Sequence, residues 1–347
     1  MKNYQTACFI MLMMCFLCSK SLAQSNDNED QVVKIEEQNM RSFRSGEVLV
    51  KFKDASDVVV RRSAPGRYSV KSKRVKAVTD LLGVTDMEQL MPVGGKKAMR
   101  RSARLRSSFT GKELEDRDMS QLYLVKFDPK RNQDVHQAIK TFEELDEVEF
   151  AEPNYVVYAL GAPSINTVPS LPKTNDNGPK AFEPSDPMYN QQWGPSFINL
   201  PQFWATETQN VLGRRPVLAI LDTGVDITHP DLKDNIWTNE KEANGVDGED
   251  DDLDGYVDDL HGWDCVNQTG RLGDWNGHGT HCAGIAAAVA DNGIGIVGAN
   301  PDALIMPVTV LQSDGIGDVG TIIRGLESCL THQVDVISMS LGSYGYS

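Results

Sequence analysis

Val217-Leu218-Ala219-Ile220-Leu221-Asp222-Thr223-Gly224 is an apolar run that ends in a carboxylate and a Thr-Gly turn. A short run of this kind, bounded by turn residues, reads as a strand buried on both faces. Further apolar segments alternate after it. Gly277 to Val289 reads as a helix, Ala303 to Leu311 as a strand, Val319 to His332 as a helix and Val334 to Leu341 as a strand. Alternation of this type predicts a parallel sheet with helices on both faces. In such sheets functional groups gather at the carboxyl ends of strands, which is where Asp222 falls.

The second informative stretch is Asn276-Gly277-His278-Gly279-Thr280-His281-Cys282-Ala283-Gly284. His278 stands at a glycine-flanked helix start that Asn276 is placed to cap. The small residues Ala283, Gly284, Ala286, Ala287 and Ala288 let that helix pack closely on the sheet and fix the imidazole. An Asp–His pair suits acyl-transfer chemistry, because the carboxylate holds the ring in one tautomer and stabilises the imidazolium formed when a hydroxyl gives up its proton. Taken singly, Asp222 reads equally as a turn residue and His278 as a capping or core histidine; their order and contexts together favour the catalytic pair. A zinc site on His278 and His281 fails, since His-x-x-His lacks the two-turn spacing and the Glu of a His-Glu-x-x-His helix. Cys282 reads as a small buried thiol, the alternative being a nucleophile beside His278.

The rest of the 347 residues exceeds one ordinary domain. A net charge of −15 argues against nucleic acid as a partner. The charge is uneven, basic from Arg41 to Lys112 and acidic from Asp247 to Asp259. Residues 1–23 read as a signal peptide, with Lys2, the apolar run Ala7 to Cys18 and Ser21-Leu22-Ala23; the run is too short for a spanning helix, and a retained anchor is the alternative. Its removal leaves Cys265, Cys282 and Cys329, an odd number that allows at most one disulfide. Residues 24–43 are a polar leader expected to be disordered. Strands at Val48–Lys53, Gln121–Phe127 and Val148–Glu152, with helices at Val75–Leu82 and Val135–Leu145, predict a small α+β ferredoxin-like domain over 44–160, with Lys96 to Lys112 as a basic insertion. Residues 161–184 read as a linker with a processing site.

Within 186–341, the motifs Leu221-Asp222-Thr223-Gly224, His229-Pro230-Asp231-Leu232, His278-Gly279-Thr280-His281-Cys282-Ala283-Gly284 and Ile337-Ser338-Met339-Ser340-Leu341-Gly342 closely resemble the first part of a subtilisin-like serine protease. The resemblance is to the subtilase family (peptidase S8 type), most of all its thermitase-like branch. It implies an incomplete subtilisin-like α/β domain over 185–347, with Asp222 as orienter and His278 as general base. It also implies a substrate-binding edge at Ser340, Leu341 and Gly342, opposed by Gly315 and Gly317, on which an extended peptide pairs through its backbone. A core strand followed by a turn is the plain alternative for that edge.

By the same resemblance calcium is a structural cofactor. Its site would use Asp186, Asp231 and Asn292 with the carbonyls of Ala290, Ile294 and Ile296, against the alternative of a metal-free turn. The acidic run around Asp250, Asp252 and Asp254 has EF-hand character but lacks the closing Glu, as His261 stands there; it is either a solvated face or a second cation site. Asp264 falls where some subtilases place a weaker calcium site, although Arg271 and Gly273 depart from that pattern. The 44–160 domain resembles an inhibitory propeptide that lays its tail in the cleft. Its basic insertion either docks on the acidic half or is plain surface.

No Gly-Thr-Ser-Met-Ala-like segment follows His278, and neither Ser340 nor Ser343 has a nucleophile's context. The expectation is a secreted, calcium-dependent serine endopeptidase represented by a fragment that lacks its Ser and is inactive alone. A non-catalytic pseudoprotease or propeptide-type inhibitor is the second expectation. Polypeptide substrates and the chain's own propeptide in the cleft are the expected partners, with no nucleic acid, no membrane anchor and a monomeric state.

Overall fold

The computed structural model describes residues 43–53, 58, 60–92, 119–128, 134–161, 182–205 and 213–343. The signal, the leader, the basic insertion and nearly all of the linker lie outside them. Among the described residues, one compact unit comprises 43–158 with 317–332, and a second comprises 159–316 with 333–342. No helix among them is long and apolar enough to cross a membrane.

The first unit runs β1 (Phe43–Phe52), a hairpin of β2 (Val60–Ala64) and β3 (Arg67–Val70), α1 (Lys73–Leu82), β4 (Val84–Gln89), β5 (Leu122–Phe127), α2 (Val135–Glu143) and β6 (Val148–Ala159). Its sheet has the order β6-β1-β5-β4 with antiparallel pairs, the split β-α-β arrangement expected from the sequence. Period-two alternation along β1 explains the two cores. Val48, Val50 and Phe52 face Val75 and Leu82 of α1 and Ala138 and Phe142 of α2, and are fully buried. Each such phenylalanine contributes about 1.5–3 kcal/mol of transfer free energy. Leu49 faces the other way and packs with Leu122, Leu124, Val319 and Ile323. Helix α1 starts on Ser72, whose hydroxyl accepts from the Val75 amide at 3.3 Å, and stops at Gly83 with φ +63°.

The hairpin and β4 are not evident in the sequence. Four of the six β4 residues, Thr85, Asp86, Glu88 and Gln89, are polar, and the Asp86 carboxylate is held by Arg62 at 2.6 and 3.1 Å. Strand β6 continues to Ala159, beyond the expected end at Glu152. A register shift between the Phe43–Tyr155 and Val48–Pro153 pairs absorbs the proline, which cannot donate to a ladder.

The later elements are β7 (Val217–Asp222), β8 (Trp263–Asp264), α3 (His278–Ala287), β9 (Leu304–Thr309), β10 (Ile316–Asp318), α4 (Val319–His332), β11 (Val336–Ser338) and β12 (Leu341–Gly342). Strands β11-β7-β9-β8 form the expected parallel sheet. The strand expected over Val334–Leu341 is broken into β11 and β12, and β8 and β10 are too short to leave a periodic signal. On one face of the sheet Ala283 and Ala287 of α3 pack against Ile220, Ile305, Val225 and Leu232.

Residues 317–332 group with the first unit. The reason is both apolar and polar. Val319 and Ile323 cover Leu49, Leu122 and Leu124, while Arg324 donates to both Glu88 oxygens at 2.7 and 2.9 Å. Asp318 caps α4 by accepting from the Thr321 amide at 2.9 Å, and Arg44 donates to its other oxygen at 3.2 Å. Burial raises the Asp318 carboxyl, but its Thr321 and Asn154 hydrogen bonds and the Arg44 charge more than offset that and hold it below the usual carboxylate range.

Candidate active site

Asp222 closes β7 with its carboxylate buried, and His278 opens α3. His278 Nδ1 lies 2.6 Å from Asp222 Oδ1, which also accepts the Thr223 amide at 2.7 Å. Glycines permit that approach. A Cβ on Gly279 would fall on the Gly224 carbonyl and 3.0 Å from Asp222 Cβ. Gly224 itself has φ +113°, in the region that favours glycine, and a Cβ there would strike the Gly273 carbonyl.

The helix start is held differently from the sequence expectation. Gly277 occupies the N-cap, and Asn276 Oδ1 accepts from the His278 amide at a long 3.3 Å. The stronger cap is Asp274. Its Oδ1 accepts from the Asn276 and Gly277 amides at 3.1 and 2.9 Å and from Thr223 Oγ1 at 2.9 Å. Its Oδ2 accepts from the Thr280 amide and hydroxyl at 2.9 and 2.7 Å. Thr223 Oγ1 accepts in turn from the Gly279 amide at 3.0 Å, and Thr280 Oγ1 from the Asp226 amide at 2.9 Å. One carboxylate therefore ties the Asp222 segment to the His278 segment. Burial would raise the Asp274 carboxyl, yet its Thr280, Gly277 and Thr223 donors outweigh burial and lower it.

Burial pulls the His278 pKa down, but the Asp222 hydrogen bond, the Leu160 carbonyl and the charges of Asp222 and Asp274 together raise it above the ordinary histidine value. His278 Nε2 lies 2.8 Å from the Leu160 carbonyl oxygen. Both ring nitrogens face acceptors, and Asp222 beside Nδ1 favours the neutral tautomer that carries its proton there. Cys282 Sγ is 3.9 Å from His278 Nδ1 and half-buried. Burial first, then the Asp222 and Asp274 charges, push its thiol up to about 11 against a lowering Ser340 contact, so it is neutral and unsuited to act as a nucleophile. Cys265 and Cys329 are free as well, and no disulfide forms among the described residues.

Of the residues expected at a substrate edge, Ser340, Gly315 and Gly342 lie against Ala159 or Leu160. Ser340 accepts the Leu160 amide at 2.9 Å and Gly315 accepts the Ala159 amide at 2.8 Å. Gly342, in β12 with Leu341, faces the Leu160 side chain; a Cβ there would come 3.2 Å from Cδ2. Gly317 groups with the first unit, where its carbonyl accepts from Arg44 at 3.4 Å.

The expected calcium residues come together in the second unit. Asp186 accepts from the Asp291 and Asn292 amides at 2.9 and 3.3 Å. Asp231 accepts from Asn292 Nδ2 at 2.8 Å and from the Ile296 amide at 3.0 Å. Positive φ at Asp291, Gly293 and Gly295 curls the loop from Ala290 through Ile294 around them, and a Cβ on Gly295 would overlap the Asp231 carboxylate. Both acids are buried, and neither pairs with a cationic side chain among the described residues. Two buried carboxylates fit a hard cation in kind, although Asn292 turns its Nδ2 to Asp231 and its Oδ1 to the Ile294 amide at 2.8 Å.

The acidic run is ordered by its own amides. Asp250 and Asp252 lie close to Glu242, with carboxylate oxygens of all three within 4.8 Å of one another. Glu242 was not foreseen, because it precedes the run instead of closing it; it accepts from the Asp251 and Asp258 amides at 2.9 and 3.1 Å. Burial first and the Asp259 charge raise its pKa against those amides. Asp254 does not join this group, and its Oδ1 accepts from the Tyr256 amide. Asp264 stands apart at β8, its oxygens taken by Val266 and Asn267 at 2.8–2.9 Å. His261 is structural, with Nδ1 2.9 Å from the Trp237 carbonyl.

Comparison with known proteins bears on the second unit. Residues 213–347 match the Subtilase family. The chain is 35% identical over 178 residues to subtilisin-like protease 1 of Plasmodium berghei, covering 51% of this chain and 29% of that protein. It is 36% identical over 162 residues to thermitase of Thermoactinomyces vulgaris, covering 46% of this chain and 48% of that one. The chain thus spans less than half the length of these relatives. The crystal structure of fervidolysin from Fervidobacterium pennivorans, a keratinolytic enzyme related to subtilisin, shares the fold with a TM-score of 0.51 at 19% identity, covering 89% of this chain and 38% of that one. Over residues 213–347 the chain is therefore similar to the subtilase (peptidase S8) family, as it is in sequence to thermitase and the subtilisin-like proteases.

Proposed function

We propose that this chain is the N-terminal part of a secreted, calcium-dependent serine endopeptidase. Residues 1–23 act as signal, 24–43 as leader, 44–160 as inhibitory propeptide, 161–184 as linker and 185–347 as part of the catalytic domain. The observation that carries the reading is the buried Asp222 carboxylate on His278 Nδ1 with Nε2 turned to a peptide carbonyl. Asp222 fixes the tautomer and stabilises the imidazolium, and His278 Nε2 takes the proton of a serine hydroxyl and returns it to the leaving amine. No serine is assigned to that role among the described residues, and the reading expects residues 1–347 alone not to hydrolyse peptides. Asp186, Asp231 and Asn292 would hold a calcium ion, which would brace the loop from 290 to 296 and take no part in the proton transfers.

A fluorophosphonate probe tests the reading. No labelling is expected of residues 1–347 alone. The protein made from its complete gene should label, and His278→Ala should abolish that labelling. Labelling of the 347-residue chain itself, dependent on His278, would overturn the assignment of the nucleophile to another segment. Complete absence of labelling in both would favour a pseudoprotease.

A further inference from the structure

Asn276 stands two residues before His278 and uses both ends of its side chain. Its Oδ1 accepts from the His278 amide at 3.3 Å, and its Nδ2 donates to the Ser313 carbonyl at 2.8 Å. Ser313 belongs to a turn that closes on itself, with the Gly315 amide on the Gln312 carbonyl at 2.8 Å and the Ile316 amide on Asp314 Oδ1 at 2.9 Å. Gln312, Ser313 and Asp314 are exposed, and no other side chain from outside the turn hydrogen-bonds to residues 313–315 among the described residues. A turn with so little buried surface gives way easily unless it is tied. The same turn carries the Gly315 carbonyl, which accepts the Ala159 amide at 2.8 Å. A Cβ on Gly315 would come 3.4 Å from Ala159 Cβ and 3.7 Å from Asn276 Nδ2, so the Asn276 amide and the extended chain meet at one glycine.

We infer that Asn276 is a positioning residue that ties the start of α3 to the turn at 312–316, so that an extended chain paired on Gly315 is aligned with His278. The inference rests on the peptidase reading above. Binding energy gained at a remote part of a substrate helps the reacting carbonyl only if the two places are held in fixed geometry. Asn276 is the side chain that spans them, with one end on the His278 amide and the other on the turn. Without the tie the Gly315 carbonyl can still accept an amide, but the pairing no longer fixes the carbonyl that faces His278. Only a substrate long enough to carry the amide that Ala159 gives to Gly315 can use the tie. Substrate length therefore separates this role from that of a plain helix cap, which would serve every substrate alike.

The test is hydrolysis of two p-nitroanilides by the protein made from its complete gene. One carries a single N-acetylated residue before the anilide, and the other is the same compound lengthened by two alanines. Asn276→Asp keeps an acceptor for the His278 amide and lacks the donor for Ser313, whereas Asn276→Ala lacks both. In each variant the ratio of kcat/KM for the longer compound to that for the shorter should fall roughly threefold to tenfold below the wild-type ratio, the effect of one hydrogen bond. Taking the ratio cancels what the added Asp charge does to His278. An unchanged ratio in either variant, with folding retained by circular dichroism, overturns the inference and leaves the peptidase reading intact, with Asn276 serving the helix start alone. No hydrolysis of either compound by the wild type would overturn both.

Discussion

Asp274 touches no reacting atom, yet each hydrogen bond it accepts comes from beside Asp222 or from around His278. It acts as a positioning residue. Replacing it by Asn removes a charge that raises the His278 pKa, so an NMR titration of the His278 ring should show a lower midpoint in Asp274→Asn than in the wild type. Asp274→Ala, which leaves several donors unsatisfied, should cost about 1–3 kcal/mol of stability. The two groups act at opposite ends of the pH scale. His278 is raised, so its contribution to stability is full below the unfolded value near 6.5 and is lost as pH rises through the folded value. Asp274 is lowered, so its contribution is present above the unfolded value near 3.9 and is lost as pH falls through the folded one. Gly279→Ala is a sharper probe of the Asp222–His278 contact. Overpacking against the Gly224 carbonyl should lower stability by about 1–3 kcal/mol and weaken the downfield resonance of a His278 Nδ1 proton held by Asp222. Asp222 and His278 were legible in the sequence because each sits at the end of a patterned element. Asp274 and Glu242 were not, since their partners are mostly backbone amides of irregular loops, which impose no spacing on the sequence.

At the scale of elements, the loop from 290 to 296 brings Asp186, Asp231 and Asn292 together by amide donation and by glycines with positive φ. Calcium should raise the melting temperature of the folded chain, and a chelator should reverse the effect. Free calcium at a hundred times its Kd would add about 2.7 kcal/mol. Differential scanning calorimetry of Asp231→Ala should show the calcium-dependent shift gone, whereas an unchanged shift would move the site elsewhere, with the Glu242, Asp250 and Asp252 group the next place to look. The long apolar elements β1, β5, β7, β9, α2 and α4 were legible because burial on one or both faces leaves a periodic or continuous apolar signature. Strand β4 was not, as its Asp86, Glu88 and Gln89 are satisfied by Arg62, Arg324 and the Ser120 carbonyl and need no apolar pattern. Strands β8, β10 and β12 are too short to carry one.

For the whole molecule, the α+β unit and the parallel-sheet unit were both visible in the sequence as a change from strand–helix halves to regular alternation. The membership of residues 317–332 was not. The apolar periodicity of α4 says that it is covered, while the partner is decided by Leu49, Leu122, Leu124 and Glu88, far away in the chain. Likewise Ala159 and Leu160 carry no sequence mark of their meeting with Gly315, Ser340 and His278. The central claim is that Asp222 and His278 are the orienter and base of a peptide-cleaving site. Its most direct test is the rate of azocasein hydrolysis by the protein from its complete gene, compared with its Asp222→Ala and His278→Ala variants. A loss of about 10⁴–10⁶ in kcat for each, with folding retained by circular dichroism, is the expected result. Hydrolysis by either variant at the wild-type rate would contradict the account.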